Sequence, residues 1–456
     1  MIASYSELLE RKKGLAGNRP TTIECNPHPN AKPHQAHCLN RLLRMQRGAA
    51  FLDTGLGKTF LQLDWARHIP GEVLILAPLA VAQQTADEAG ELLGMNVGVS
   101  RDGSVKERVT IANYERAHLF DTSRFAGIVL DESSILKGQT SKTRAWLTET
   151  FAATPYRLAC TATPSPNDHT ELGNHSDFLG VMNSQEMLTR WFIHDSMNTA
   201  DWRLKGHAVE SFWEWVGSWA ACVTLPSDLG FEDEGYALPP LTTETHVCRT
   251  PTQFNSAEEL FSLPSVSATD LHGTKKLTLE DRCKGVAGMV NGSSEPWIVW
   301  CESNEESDLL TKMIPDAVEV KGSQTIDQKE ARLAAFTKGQ ARVIISKPKI
   351  CGFGMNWQHC SNMAFASISY SYESFYQAVR RVWRFGQKSA VNIHVFISDA
   401  ELPVWREIER KAADHQTMKD HMKMAIGTYR MSETKQEYRP PTYIELPTWI
   451  TERKSA

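Results

Sequence analysis

The sequence predicts an α/β protein with two doubly wound parallel sheets and a helical insertion between them. Three observations carry this. Apolar runs of strand length recur in both halves with helix-patterned stretches between them. A glycine loop in the first half stands between one such run and a helix. A tryptophan-rich stretch with helical spacing separates the two sets. At 456 residues the chain exceeds one typical core, so two domains with additions are expected.

In the first half the strand-like runs are 49–52, 73–77, 108–112, 127–130 and 156–159. In the second they are 297–301, 317–320, 342–346, 363–367 and 391–397, with helices over 327–337 and 374–383 and a terminal helix over 401–426. The expected division is 1–172 for the first sheet domain, 173–238 for the insertion and 239–290 for a linker with entry helices. The second sheet domain follows at 291–400, and a helix with an extended tail at 401–456. Residues 173–238 hold Trp191, Trp202, Trp213, Trp215 and Trp219 with Phe192 and Phe212. These aromatics read as the core of a small helical subdomain, with base stacking as the alternative.

Composition is that of a soluble globular protein, and no apolar stretch has the length of a membrane span. Residues 1–14 lack the apolar core of a signal peptide, so a cytoplasmic location is expected, that of a bacterial host if the source is viral. Nine scattered cysteines without a Cys-x-x-Cys pair fit a reducing compartment. Cys25, His28, His34, His37 and Cys38 lie close in sequence, but their spacing matches no standard zinc finger and prolines interrupt it. They read as ordinary polar residues.

The chemistry centres on Asp53-Thr54-Gly55-Leu56-Gly57-Lys58-Thr59. Backbone N–H groups of such a loop and the helix after it favour a phosphate. Lys58 would reach the β/γ-phosphates and the Thr59 hydroxyl would bind Mg²⁺. The strict phosphate-loop pattern wants glycine where this chain has Leu52. Upstream, the amide of Gln35 is placed to read adenine. The strand 127–130 ends in Asp131-Glu132. Asp131 would hold Mg²⁺, and Glu132 would act as base on the attacking water. In the second half, Gly352, Gly354 and Asn356 form a loop suited to a nucleic-acid backbone. Gln377-Ala378-Val379-Arg380-Arg381-Val382-Trp383-Arg384-Phe385-Gly386-Gln387 follows. Arg381 and Arg384 are three apart, so on a helix they would share a face. Delivered across a cleft, they would stabilise charge on a transferring phosphoryl group. Residues 321–390 carry eleven Lys/Arg against three Asp/Glu, +8 in a chain of net −5. That asymmetry points to a polyanion groove beside the second sheet.

Taken in order, these motifs resemble those of the Swi/Snf-like ATPases of helicase superfamily two, through most of residues 32–400. Pro33-His34-Gln35 resembles the adenine-side motif, and Gly55–Thr59 the family's shortened phosphate loop. Ala77-Pro78-Leu79, Asn113-Tyr114-Glu115, Asp131-Glu132 with Leu136-Lys137, Thr161–Pro164, Gly352–Asn356 and Gln377–Gln387 resemble its later motifs. The final Gly-Gln is the most family-specific part. The resemblance implies two RecA-like domains with ATP and Mg²⁺ in the cleft. Thr54, Gly55, Leu56, Gly57, Lys58 and Thr59 with Gln35 would hold ATP, and Thr59 with Asp131 the metal. Glu132, Arg381, Arg384 and Gln377 would be catalytic. Pro78, Asn113, Tyr114, Thr161, Thr163, Gly352, Gly354 and Asn356 would couple to DNA. The implied function is ATP-driven translocation by a monomer along double-stranded or branched DNA. Alternatives are an RNA helicase, or a motor subunit working beside a nuclease or methyltransferase. Ser133-Ser134 replaces the family's Ala-His, and Trp383 stands at a usual His. The compact form is similar to bacteriophage or prophage members.

Overall fold

The computed structural model describes residues 23–78, 81–137, 141–194, 202–250, 275–351 and 355–432. The first sheet begins with β1 (Arg47–Leu52), β2 (Glu72–Ala77), β3 (Gly98–Val99), β4 (Val109–Asn113), β5 (Phe125–Asp131) and β6 (Tyr156–Thr161). A two-stranded antiparallel ribbon follows, β7 (Phe192–His194) with β8 (Trp202–Leu204). The chain then returns to the sheet as β9 (Ala220–Val223). All seven strands of this sheet are parallel, in the order β3-β4-β2-β5-β6-β1-β9. Val73–Ala77 of β2 is wholly buried, as expected of a parallel strand covered on both faces. β5, β6 and β1 are neighbours, so the loops leaving their carboxyl ends share one edge, where open α/β sheets bind ligands.

The second sheet is also all parallel. It contains β10 (Leu241–Cys248), β11 (Trp297–Trp300), β12 (Ala317–Val320), β13 (Val343–Ser346), β14 (Asn362–Phe365) and β15 (Val391–Ser398), ordered β10-β15-β14-β11-β13-β12. The two-sheet α/β class read from the sequence is therefore the observed one.

Three local differences matter. Residues 173–238 are not all helical. They supply the ribbon and β9, and Trp191, Trp213, Trp215 and Trp219 lie in one core with the first sheet rather than in a core of their own. The stretch 239–290 supplies β10, which pairs along its whole length with β15. The helix expected over 374–383 ends at Val379, with Arg380 as its C-cap.

The terminal helix Leu402–Ser432 belongs to both halves. Trp405 and Ile408 pack in the core of the second sheet, and Met418 and Met422 in that of the first. His421 stacks on Trp213 with ring centroids 5.7 Å apart. Lys423 pairs with Asp228 at 2.9 Å.

Candidate active site

The phosphate loop leaves β1 and turns into the helix Lys58–His68, whose N-cap Gly57 is left-handed at φ 81°. Gly55 is left-handed too, at φ 94°, and a Cβ there would meet the Cβ of Phe385 at 2.7 Å. Glycine is thus demanded by backbone conformation and by the close approach of the second half. Lys58 Nζ donates to Leu52 O at 3.0 Å. The Gln35 side chain lies against the loop. Its Nε2 donates to Leu56 O at 3.1 Å and its Oε1 accepts from Lys32 N at 2.9 Å. Beside it, Tyr236 and Phe385 bring rings from opposite halves to 4.6 Å, with Lys32 Nζ over both.

Asp131 ends β5, and Glu132 follows at φ 54°, a conformation uncommon for a side chain of that size. Tyr114 Oη donates to Asp131 O at 2.7 Å. Thr161 Oγ1 donates to Glu132 Oε2 at 3.3 Å and accepts from Thr163 N at 3.1 Å. Burial, with the Glu132 charge adding to it, raises the Asp131 carboxyl to about 7 against the pull of Lys58. Burial also raises Glu132, opposed by Lys58 and Arg381. Lys58 is lowered by burial and supported by Glu132, Asp53 and Asp131. Lys58 thus serves both acids, the buried Asp131 and the half-buried Glu132, and Glu132 also has Arg381. Thr59 and Asp131 offer the oxygen donors that Mg²⁺ takes, and a further cation would offset the excess negative charge. The residues present fit that metal.

The second half meets this edge through residues 372–387. Arg380 reaches across the cleft. Its Nη2 donates to Asp53 Oδ1 at 2.8 Å and to Thr54 O at 3.1 Å, and its Nε donates to Thr54 Oγ1. Tyr376 Oη donates to Asp53 Oδ1 at 2.6 Å, and Lys419 Nζ bonds Asp53 Oδ2 at 2.9 Å. Burial alone would raise Asp53. The Arg380 and Lys419 charges, with the hydrogen bonds from Tyr376 and Lys419, outweigh it and hold the carboxyl well below its usual range.

Arg381 and Arg384 do not share a helical face, because the helix has ended. Arg381 Nε donates to Gln377 O at 2.9 Å and its Nη2 to Gln377 Oε1 at 2.8 Å. Arg384 Nη1 donates to Met355 O at 3.4 Å. Burial, then the charge of a neighbouring arginine, pushes each down to about 10, so both stay charged at neutral pH. Among the described residues, the buried Gln377 Nε2 and Arg384 Nε have no hydrogen-bond partner.

Of the other expected site residues, Asn113 is buried, Pro78 half-buried and Asn356 exposed. Gly352 and Gly354 lie outside the described residues. Sequence reasoning missed Arg380, Asp53, Tyr376 and Lys419 as a cross-cleft cluster. An arginine triplet facing a loop that opens with Asp was the available signal for two of them. The Cys25–Cys38 stretch makes no common ligand point. His34 bonds Leu56 O, and among the described residues the ligand-like group lies elsewhere.

Residues 281–386 match the helicase conserved C-terminal domain. The matched span covers most of the second sheet and the arginine segment up to Gly386, and the domain is a RecA-like one. The match supports a member of helicase superfamilies one and two, a helicase-type ATPase dependent on nucleic acid. Such a domain implies ATP use, usually with Mg²⁺. No curated protein matches the chain. Among the described residues, no helix is long and apolar enough to cross a membrane.

Proposed function

We propose that the chain is an ATP-driven motor that moves along double-stranded or branched DNA, of the Swi/Snf-like kind. The observation that carries this is the contact of Arg380 with Asp53 and Thr54. It seats the arginine segment of the helicase-type half on the phosphate loop of the other half. In this reading the loop Thr54–Thr59 and Gln35 bind ATP, Lys58 its phosphates, and Thr59 and Asp131 the metal. Bound Mg²⁺ supplies charge neutralisation at the phosphates. Glu132 takes the proton of the attacking water. Arg381, oriented by Gln377, and Arg384, held by Met355 O, supply positive charge where negative charge grows in the transition state.

Thr161 links Glu132 to the segment ending in Thr163. That is a short route by which DNA at Pro78 and Asn356 would sense the base, with Asn113, Tyr114, Thr161 and Thr163, which point inward, relaying the contact rather than making it. DNA spanning both halves would favour the closed cleft and so stimulate turnover without touching ATP. The test is ATPase activity with duplex DNA, forked DNA, single-stranded DNA and RNA in parallel. Duplex or forked DNA should stimulate most. Stimulation by RNA alone would contradict the DNA assignment, and no turnover with any polymer would contradict the motor.

A further inference from the structure

A second cluster of metal-ligand side chains lies on the strand pair β10–β15 of the second sheet. In the parallel register Glu244 pairs with His394 and His246 with Phe396. Glu244 and His246 are two apart on one strand, so they share a face. His246 Nε2 and His394 Nδ1 are 3.2 Å apart. Glu244 Oε2 is 3.4 Å from His394 Nδ1 and 3.9 Å from His246 Nε2. Among the described residues this is the group whose candidate ligand atoms all fall within 4.8 Å of one another.

These separations decide the reading. In tetrahedral zinc, metal–nitrogen and metal–oxygen bonds of about 2.0–2.2 Å place neighbouring ligand atoms roughly 3.3–3.5 Å apart. One of the three edges, 3.4 Å, has that length and a second, 3.2 Å, falls just short of it. The third is long at its Glu244 end, and Glu244 is the exposed member, with 66% of its side chain accessible. A rotamer change closes it. The imidazoles are less free. His246 stacks on Phe396 with centroids 4.4 Å apart, and His394 packs beside Trp297 at 5.7 Å. Ring nitrogens held by packing are a preorganised pair.

We propose that Glu244, His246 and His394 form a zinc site that clips β10 to β15. Three protein ligands leave a position for water. β10 is the edge strand by which the chain enters the second sheet. Just before it, Pro239 O accepts a hydrogen bond from Trp383 Nε1 at 2.8 Å. The clip therefore secures the strand against which the arginine turn is braced.

The test titrates Zn²⁺ into untagged full-length protein, stripped with a chelator, against a chromophoric zinc indicator. Thermal unfolding is followed with and without zinc. The parent should bind one zinc with micromolar or tighter affinity and melt higher with it. His246→Gln and His394→Gln should each weaken that site by about tenfold or more and abolish the thermal shift. Glu244→Gln, at an exposed position where folding is safe, should weaken it less. An unchanged affinity and stoichiometry in the His246→Gln/His394→Gln double variant would overturn the proposal. So would the absence of micromolar zinc binding by the parent, or an unchanged affinity in a folded Glu244→Gln protein.

Discussion

The edge of the first sheet brings two acids and one lysine to the cleft, and the edge of the second brings three arginines. The acids follow one another at the end of β5 and the lysine lies past β1, and β6 pairs in register with both strands, so their placement follows from the sheet. The arginines sit past a helix that has already stopped, so their placement depends on tertiary partners. One of the three, Arg380, is committed across the cleft. The other two are held by Gln377 and Met355 within their own half. The first edge is thus a rigid half-site, and the second an adjustable one that completes it.

The largest effect should come from breaking the rigid half. Lys58→Ala and Glu132→Gln should each lower ATP turnover by at least about a thousandfold. The glutamine variant should keep ATP affinity, since it removes a charge and no phosphate contact. Steady-state ATPase with binding of a fluorescent ATP analogue separates the two.

Next comes the cross-cleft cluster. Asp53→Asn leaves the buried Arg380 and the half-buried Lys419 without their acid. It should cost about 3–5 kcal/mol of the stability that joins the halves. Arg380→Met/Asp53→Asn should lose less than the two single variants added together. Urea unfolding of the three variants measures the coupling.

A smaller effect concerns pH. His175 is buried behind the acids, with Nε2 3.1 Å from Ser133 Oγ. Burial pushes its pKa down to about 4. Between that value and about 6.5 the unfolded chain binds the proton and the folded one does not, so stability rises with pH in this window and is lost on acidification. From pH 7 to pH 5 the loss through His175 is about 2 kcal/mol. Glu171, raised to about 7 mainly by burial, acts in the opposite direction. Urea midpoints at the two pH values, parent against His175→Gln, isolate the histidine. The difference should shrink in the variant.

The smallest effect concerns salt. Part of the +8 segment is already paired with acids, one pair buried and the others at the surface. Lys321 pairs with Asp308 and Glu319, Arg342 with Asp316 and Arg380 with Asp53. Lys338, Lys349 and Lys388 are exposed. DNA binding should still weaken with salt, and Lys349→Ala or Lys388→Ala should each lower the logarithmic slope by about one if it touches a phosphate. Unchanged slopes in both would remove this face from the DNA path.

What was legible in the sequence follows the same contrast. The phosphate loop and Asp131-Glu132 are local in sequence, each strand naming its own loop. Their approach needs only the parallel order of β5, β6 and β1. β9 was hidden because its four residues follow the helix Val209–Trp219 directly. β10 was hidden by its polar threonines. Arg381 and Arg384 are legible as residue types but not in their placement, because nothing in the helical periodicity marks the stop at Val379. Lys419 reaches Asp53 from 366 residues away, and only the docking of the terminal helix on both cores brings it there.

The central claim is that neither half holds a complete hydrolytic site. Its most direct test is DNA-stimulated ATPase of the Arg381→Ala/Arg384→Ala double variant, with ATP binding measured on the same protein. Nucleotide affinity within a few-fold of the parent, with most stimulated turnover lost, is the result predicted. Full stimulated turnover by that variant would contradict it.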